Sequence, residues 1–258
     1  MCLILFSYRQ HPRYPLLLAA NRDEFHARPT QAARFWPDHP DVLAGKDLQA
    51  GGTWMGISRA GRFAAITNYR DPDQTIPAPR SRGELTLDFL TGNESSATYL
   101  QRIGARASEY AGFNLLLGDA HGLWYYSNSA AGEGDGAIQL QPGTYGLSNA
   151  HLDTPWPKVV HGKHALRSLS GGSVDHNLLA EVVASGNLAT ESELAAVGLN
   201  GEMDRMLSAQ FIVSPTYGTR ATTTLWLDTE GHASWRETSF DASGAPIGQV
   251  VERLTLSS

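Results

Sequence analysis

Short apolar runs separated by turn-forming clusters dominate this chain, and their spacing predicts paired strands at its start. Cys2–Tyr8 and Pro15–Ala20 flank the turn-like QHPRYP and read as two strands of a hairpin. A polar, proline-punctuated stretch follows from Asn21 to Leu48. GGTWMGISRAGRFAAITNYR then reads as a second hairpin, turning at Arg59-Ala60-Gly61. After three prolines between Pro72 and Pro79, SRGELTLDFL has the start signal and periodicity of a helix. SSATYLQRIGARAS does too, with Ser95 or Ser96 as N-cap. β character returns in GFNLLLGDAHGLWYYSNS, which turns at Asp119–Gly122, and in GTYGLSNA. Helical stretches run from Pro155 to Leu169, started by Thr154 and Pro155, and from Asp175 to Ser185. The last element is TRATTTLWLDTEGHASWRETSF, a hairpin turning at Asp228–Gly231.

The order is hairpins, helices, hairpins, helices, hairpin, without the alternation that a parallel sheet requires. It predicts an α+β protein in which two antiparallel sheets pack face to face with helices outside, a four-layer αββα sandwich. No repeat or low-complexity linker interrupts the 258 residues, which are read as a single domain.

Composition narrows the function. Apolar residues make up 41% of the chain and charged residues 18%, and the net charge of −6 argues against a nucleic-acid binder. A single cysteine excludes an internal disulfide and thiolate metal clusters. The apolar run LILF near the N-terminus is too short for a secretory signal, and no later run reaches the ~18 residues of a membrane span. A cytoplasmic protein is expected.

That single cysteine is Cys2. Removal of Met1 would leave it carrying a thiol and a free α-amine, the one-residue pairing of nucleophile and base used by N-terminal nucleophile enzymes. A nearby guanidinium would favour the thiolate, a carboxylate would orient the ammonium, and amide donors would hold an oxyanion. If the first two strands pair, Asn21, Arg22, Asp23 and Glu24 of AANRDEF lie beside Cys2. The plainer alternatives are a small buried thiol and a charged turn after a strand.

ANRDEF shortly after an initial Met-Cys resembles the signature of the NRDE family, also called the transport and Golgi organisation family. GGTWMGIS, FAAITNYRDP, GLSNAHLDTPWPK and YGTRATTTLW resemble its other blocks, so the likeness runs from Cys2 to about Phe240. The resemblance implies an N-terminal nucleophile hydrolase fold, close to the choloylglycine hydrolases and penicillin V acylases. Matching those acylases implies Cys2 as nucleophile, Asn68 and Asn149 as oxyanion donors, and Arg220 near the sulfur, with His151 where they carry proline. Arg22 and Asp23 join the catalytic set; Asn21, Glu24, Trp54, Tyr69 and His151 are candidate substrate contacts. The acylases space their arginine and aspartate by two intervening residues, and Phe25 stands at that spacing from Arg22. Shifting by one residue aligns Glu24 with the acid but puts Asn21 in the arginine position.

The bland readings are specific. Asn68 and Asn149 are residue types that commonly satisfy strand ends, and Arg220 suits a solvated ion pair. His161 and His164 are three apart on a helix, close in sequence to His151, but no carboxylate completes a metal set, and no metal is expected. Two functions follow. One is an amidase or acyltransferase acting on a small acyl amide or thioester, with no cofactor required. The other is implied by the resemblance: a non-catalytic trafficking protein binding haem or an acyl-coenzyme A or lipid ligand. No nucleic-acid partner is expected from either.

Overall fold

A computed structural model describes residues 2–70, 78–129 and 137–256. Met1, and Pro72 and Pro77 of the proline run, lie outside the described residues. The fold is α+β, with two fully antiparallel sheets as expected, and the chain divides into two compact units that interleave in sequence.

The first unit comprises Met1–Ala27, Pro142–Ser148 and Leu152–Arg253. Its sheet contains β1 (Cys2–Tyr8), β2 (Leu16–Phe25), β10 (Gly143–Leu147), β11 (Tyr217–Leu227), β12 (His232–Phe240) and β13 (Pro246–Thr255), ordered β10-β1-β2-β11-β12-β13. The expected opening hairpin forms, with Cys2 opposite Arg22 and Tyr8 opposite Leu16. The helix α3 (Pro157–Arg167) packs on β1 and β10, and α4 (His176–Glu181) packs on β11 and β2. Close approach of α3 depends on small residues. A Cβ at Gly162 would lie 2.1 Å from Leu5 Cδ1, and one at Gly146 would lie 2.6 Å from Val159 Cγ1. Two short helices, α5 (Glu191–Ala196) and α6 (Glu202–Met206), complete the unit.

The second unit comprises Arg28–Gln141, Asn149–His151 and Leu254–Ser258. Its sheet is a sequential meander of β3 (Thr30–Trp36), β4 (His39–Asp47), β5 (Met55–Ser58), β6 (Phe63–Asn68), β7 (Phe113–Asp119), β8 (Gly122–Ser127) and β9 (Ile138–Gln139). The helices α1 (Gly83–Thr91) and α2 (Ser96–Gly104) cover one face. Leu85, Phe89, Tyr99, Leu100 and Ile103 pack there against alternate strand positions, Val42 and Ala44, Ala64 and Ile66, Leu115 and Leu117. The intervening Leu43, Phe63, Ala65 and Leu116 are buried as well. Burial on both sides explains why these strands read as continuous apolar runs rather than as alternation.

Several expectations are corrected. The stretch Asn21–Leu48 supplies the end of β2 and all of β3 and β4. Charged and prolyl residues on their exposed positions mask the alternation that buries Ala33, Trp36, Val42 and Ala44. The edge strand β13 was not foreseen, because most of its positions are exposed and no apolar period marks it. The helices α5 and α6 are one-turn elements, too short for periodicity to show. Pro157 rather than Pro155 opens α3, with Trp156 and not Thr154 as its N-cap. Ser95 caps α2 and Asp175 caps α4 through their side chains. Among the described residues, no helix is long and apolar enough to cross a membrane.

Candidate active site

In the first unit, strand register sets the neighbours of Cys2. It sits at the start of β1 directly across from Arg22, and side chains of such a pair share one face. Cys2 is half-buried. Burial pushes its thiol above the ordinary range, and the Asp23 carboxylate adds to that push. Arg22 and a hydrogen bond from the Asp23 backbone N–H pull it back toward the thiolate. Asp23 thus acts on the sulfur through its charge and its backbone N–H, while its side chain points to the opposite face of β2. Glu24 lies 3.7 Å from Arg22 Nη2 and accepts from the backbone of Phe25.

Asp23 is itself buried, and desolvation raises its carboxyl to about 6, against the opposing effects of Lys158, of Arg22 and of the Thr219 hydroxyl. That hydroxyl donates to Asp23 Oδ1 at 2.7 Å. The contact exists because β11 carries a β-bulge. Asp23 pairs with Thr219 but Arg22 pairs with Ala221, leaving Arg220 as the extra residue. The bulge puts Thr219 and Thr222, three apart, on the same face, one bonded to Asp23 and the other to Asn21. Arg220 is turned aside and donates from Nη1 to the carbonyls of Phe25 and His26, both at 3.1 Å.

Asn21 was an expected substrate contact, but its amide is committed to the protein. Nδ2 donates to the carbonyls of Val183 and Gln210 at 2.8 Å each, and Oδ1 accepts from Thr222. It is fully buried and acts as a clamp between β2 and the loops after α4 and α6. Arg22 keeps one buried nitrogen, Nη1, with no hydrogen-bond partner among the described residues.

Sequence reasoning missed Lys158. It is the second residue of α3, only 2% exposed, and its Nζ has no hydrogen-bond partner among the described residues. Nζ lies 5.8 Å from the centre of the Trp156 ring. Burial lowers its pKa, while Asp23 and then Cys2 raise it. One sequence signal was available: a lysine in a first helical turn that holds no acid opposes the helix dipole.

The second unit brings together another group of expected residues. Asn149 Nδ2 donates to the Asn68 carbonyl at 2.7 Å, and the Asn149 carbonyl accepts from the Arg70 N–H. Tyr69 Oη and His151 Nε2 are 3.1 Å apart, with ring centres 4.9 Å apart. Asn149 follows Ser148, a first-unit residue whose hydroxyl donates to the Cys2 carbonyl at 2.8 Å. Trp54 is half-buried against the core of Leu85, Phe89 and their neighbours. His161 and His164 are exposed on α3. Among the described residues, Asp228, Glu230 and His232 form a group able to present three metal-ligand atoms. Asp228 already accepts from the backbone N–H groups of Glu230 and His232, as a turn requires.

Comparison with known proteins bears on both fold and family. The family model described as Transport and Golgi organisation 2 matches residues 1–242. The human protein named Transport and Golgi organization protein 2 homolog is 40% identical over 260 residues, covering 93% of each chain. Its Bos taurus counterpart is 38% identical over 262 residues, again covering 93% of each. Among solved structures, a Caenorhabditis elegans N-acylethanolamine-hydrolyzing acid amidase ortholog superimposes with a TM-score of 0.50. It shares 9% identity over 87% of this chain and 92% of that one. Such a likeness speaks to fold alone, and the fold is the expected N-terminal nucleophile hydrolase-like class.

Proposed function

The chain belongs to the Transport and Golgi organisation 2 family, and on that premise we propose that it is a cysteine amidase or acyltransferase acting on a small acyl amide or thioester. The observation that carries this reading is the environment of Cys2. A half-buried thiol lies across from a partly unpartnered guanidinium, with an Asp23 N–H on its sulfur and a carboxyl poised near neutrality. Titratable groups displaced from their ordinary ranges and gathered around a nucleophile are what covalent catalysis needs. The structural likeness to an acid amidase is consistent with the same chemistry.

In this mechanism Met1 is removed and the α-amine of Cys2 accepts the thiol proton. Asp23, ionised above about pH 6, holds the resulting ammonium. The thiolate attacks the acyl carbonyl and forms the S–C bond. The C–N or C–S bond to the leaving group breaks as the ammonium returns its proton to that group. Water, or an acceptor amine, then cleaves the thioester and restores the thiol.

The test is intact-mass spectrometry after exposure to acyl amides and thioesters of graded chain length. An acyl adduct confined to Cys2, and lost in Cys2→Ala, is expected. Mature protein with a free residue 2 that takes up no acyl group across the series would exclude the reading. Asp23→Asn should slow adduct formation at least tenfold and remove the rise in rate through about pH 6.

A further inference from the structure

The buried lysine has no part in the chemistry above. A charge sequestered from water without a hydrogen-bond partner is costly, and its presence calls for an explanation. Lys158 Nζ meets that description on a side chain that is 98% enclosed. α3 sits so tightly on β1 and β10 that Gly162 and Gly146 leave no room for a Cβ, and Gln210 ties the first turn to β2, donating to the Lys158 carbonyl and accepting from Asn21 Nδ2. The ionisable groups whose charge reaches it there are Asp23 on β2 and Cys2 on β1. The chain's amino terminus and Arg22 are further cations acting on both of those groups. Trp156 and Gln210, which also approach it, carry no charge; Gln210 Nε2 donates to the Lys158 carbonyl.

We propose that Lys158 is a positioning residue of the Cys2 site, the counter-charge that supports Asp23 as a carboxylate on the helix-covered face and, across the strand pair, Cys2 as a thiolate. The proposal rests on the reading of Cys2 as the nucleophile and extends it to a residue outside the N-terminal hairpin. Two anions formed on neighbouring strands away from water repel one another, and each raises the proton affinity of the other. Arg22 offsets part of that from one face of the sheet. Lys158 adds to that offset from the helix-covered face, where Asp23 and Asn21 point. Because no acceptor holds its hydrogens among the described residues, its positive charge acts on the pair. Removing that charge must raise both proton affinities, so the thiol would ionise at higher pH and Asp23 would stay protonated closer to neutrality.

The experiment reads thiol ionisation without any acyl substrate, so its failure is distinguishable from failure of the amidase reading. The rate of Cys2 alkylation by iodoacetamide is measured from pH 5 to 10 by intact mass, with the state of residue 1 matched in every sample. A thermal melt confirms folding. Lys158→Met should move the alkylation midpoint up by about one pH unit and lower the rate at pH 7.5 about tenfold. Lys158→Arg, which restores charge but not the amine, should return the midpoint to within a few tenths of wild type. Coincident profiles for Lys158→Met and wild type overturn the proposal, as does a Lys158→Arg profile that follows Lys158→Met.

Should Lys158→Met fail to fold, NMR of labelled lysine in the wild-type chain gives the same answer. Blocking the sulfur with iodoacetamide abolishes the thiolate, so the Lys158 midpoint must fall. An unchanged midpoint removes Lys158 from the site, whatever acyl chemistry Cys2 is found to perform.

Discussion

At the scale of single residues, two buried groups make opposite demands on pH. The Asp23 carboxyl titrates near 6 in the fold against an ordinary 3.8, so its ionised form opposes folding above pH 6. That cost disappears as pH falls toward 4 and is on the order of 3 kcal/mol. Urea-denaturation midpoints should therefore show wild type gaining on Asp23→Asn by roughly that amount between pH 7.5 and 4. His176 runs the other way. Its ring nitrogens lie 2.8 Å from the hydroxyls of Thr224 and Ser234, and burial lowers its pKa to about 4. It should stay neutral from pH 7.5 to 5.5 in a ring-resonance titration. Below about pH 6.5 its protonation favours the unfolded chain, so wild-type stability alone would mix the two effects. Much of the site is legible in the sequence at this scale. A cysteine at position 2 and an NRDE tetrapeptide one hairpin away indicate a cluster. How the carboxylates are disposed about Cys2 depends on strand register, which leaves no local mark, and Lys158 arrives on a helix from far along the chain, marked locally only by its opposition to the helix dipole.

At the scale of elements, packing of α3 is the most exacting contact described. Gly162→Ala forces a methyl group into Leu5 and Gln210, and should cost about 1–3 kcal/mol by denaturant titration. Because the same helix carries Lys158, that variant should also shift the alkylation profile of Cys2 in the direction of Lys158→Met. A control lies at α5, whose Thr190 and Glu193 form a reciprocal capping box. Thr190→Ala should cost about 1 kcal/mol while leaving the thiol profile alone. Elements with a continuous apolar run, such as β1, β6 and β7, were readable because burial on two faces leaves no ambiguity. The strands β3, β4 and β13 were not, because their exposed positions carry prolines, charges and isolated apolar residues. The α3 boundary slipped by two residues because both Pro155 and Pro157 suit a first turn, and only the backbone decides between them.

At the scale of the whole molecule, strand order matters more than chain order. β1 and β2 are central in their sheet, flanked by β10 on one side and β11 on the other. A fragment of residues 142–253 therefore contains four of the six strands but lacks the pair that joins them. It should show no cooperative thermal transition by circular dichroism, and addition of a peptide of residues 1–27 should restore one. A sequence with no visible linker gave no warning of two interleaved units, since neither is delimited by a composition break. The central place of β2 also sets a timetable for biosynthesis. Its partner Tyr217–Leu227 is made long after it, so that edge of β2 stays unpaired while the intervening chain is synthesised, and the bond from Thr219 to Asp23 can form only after that.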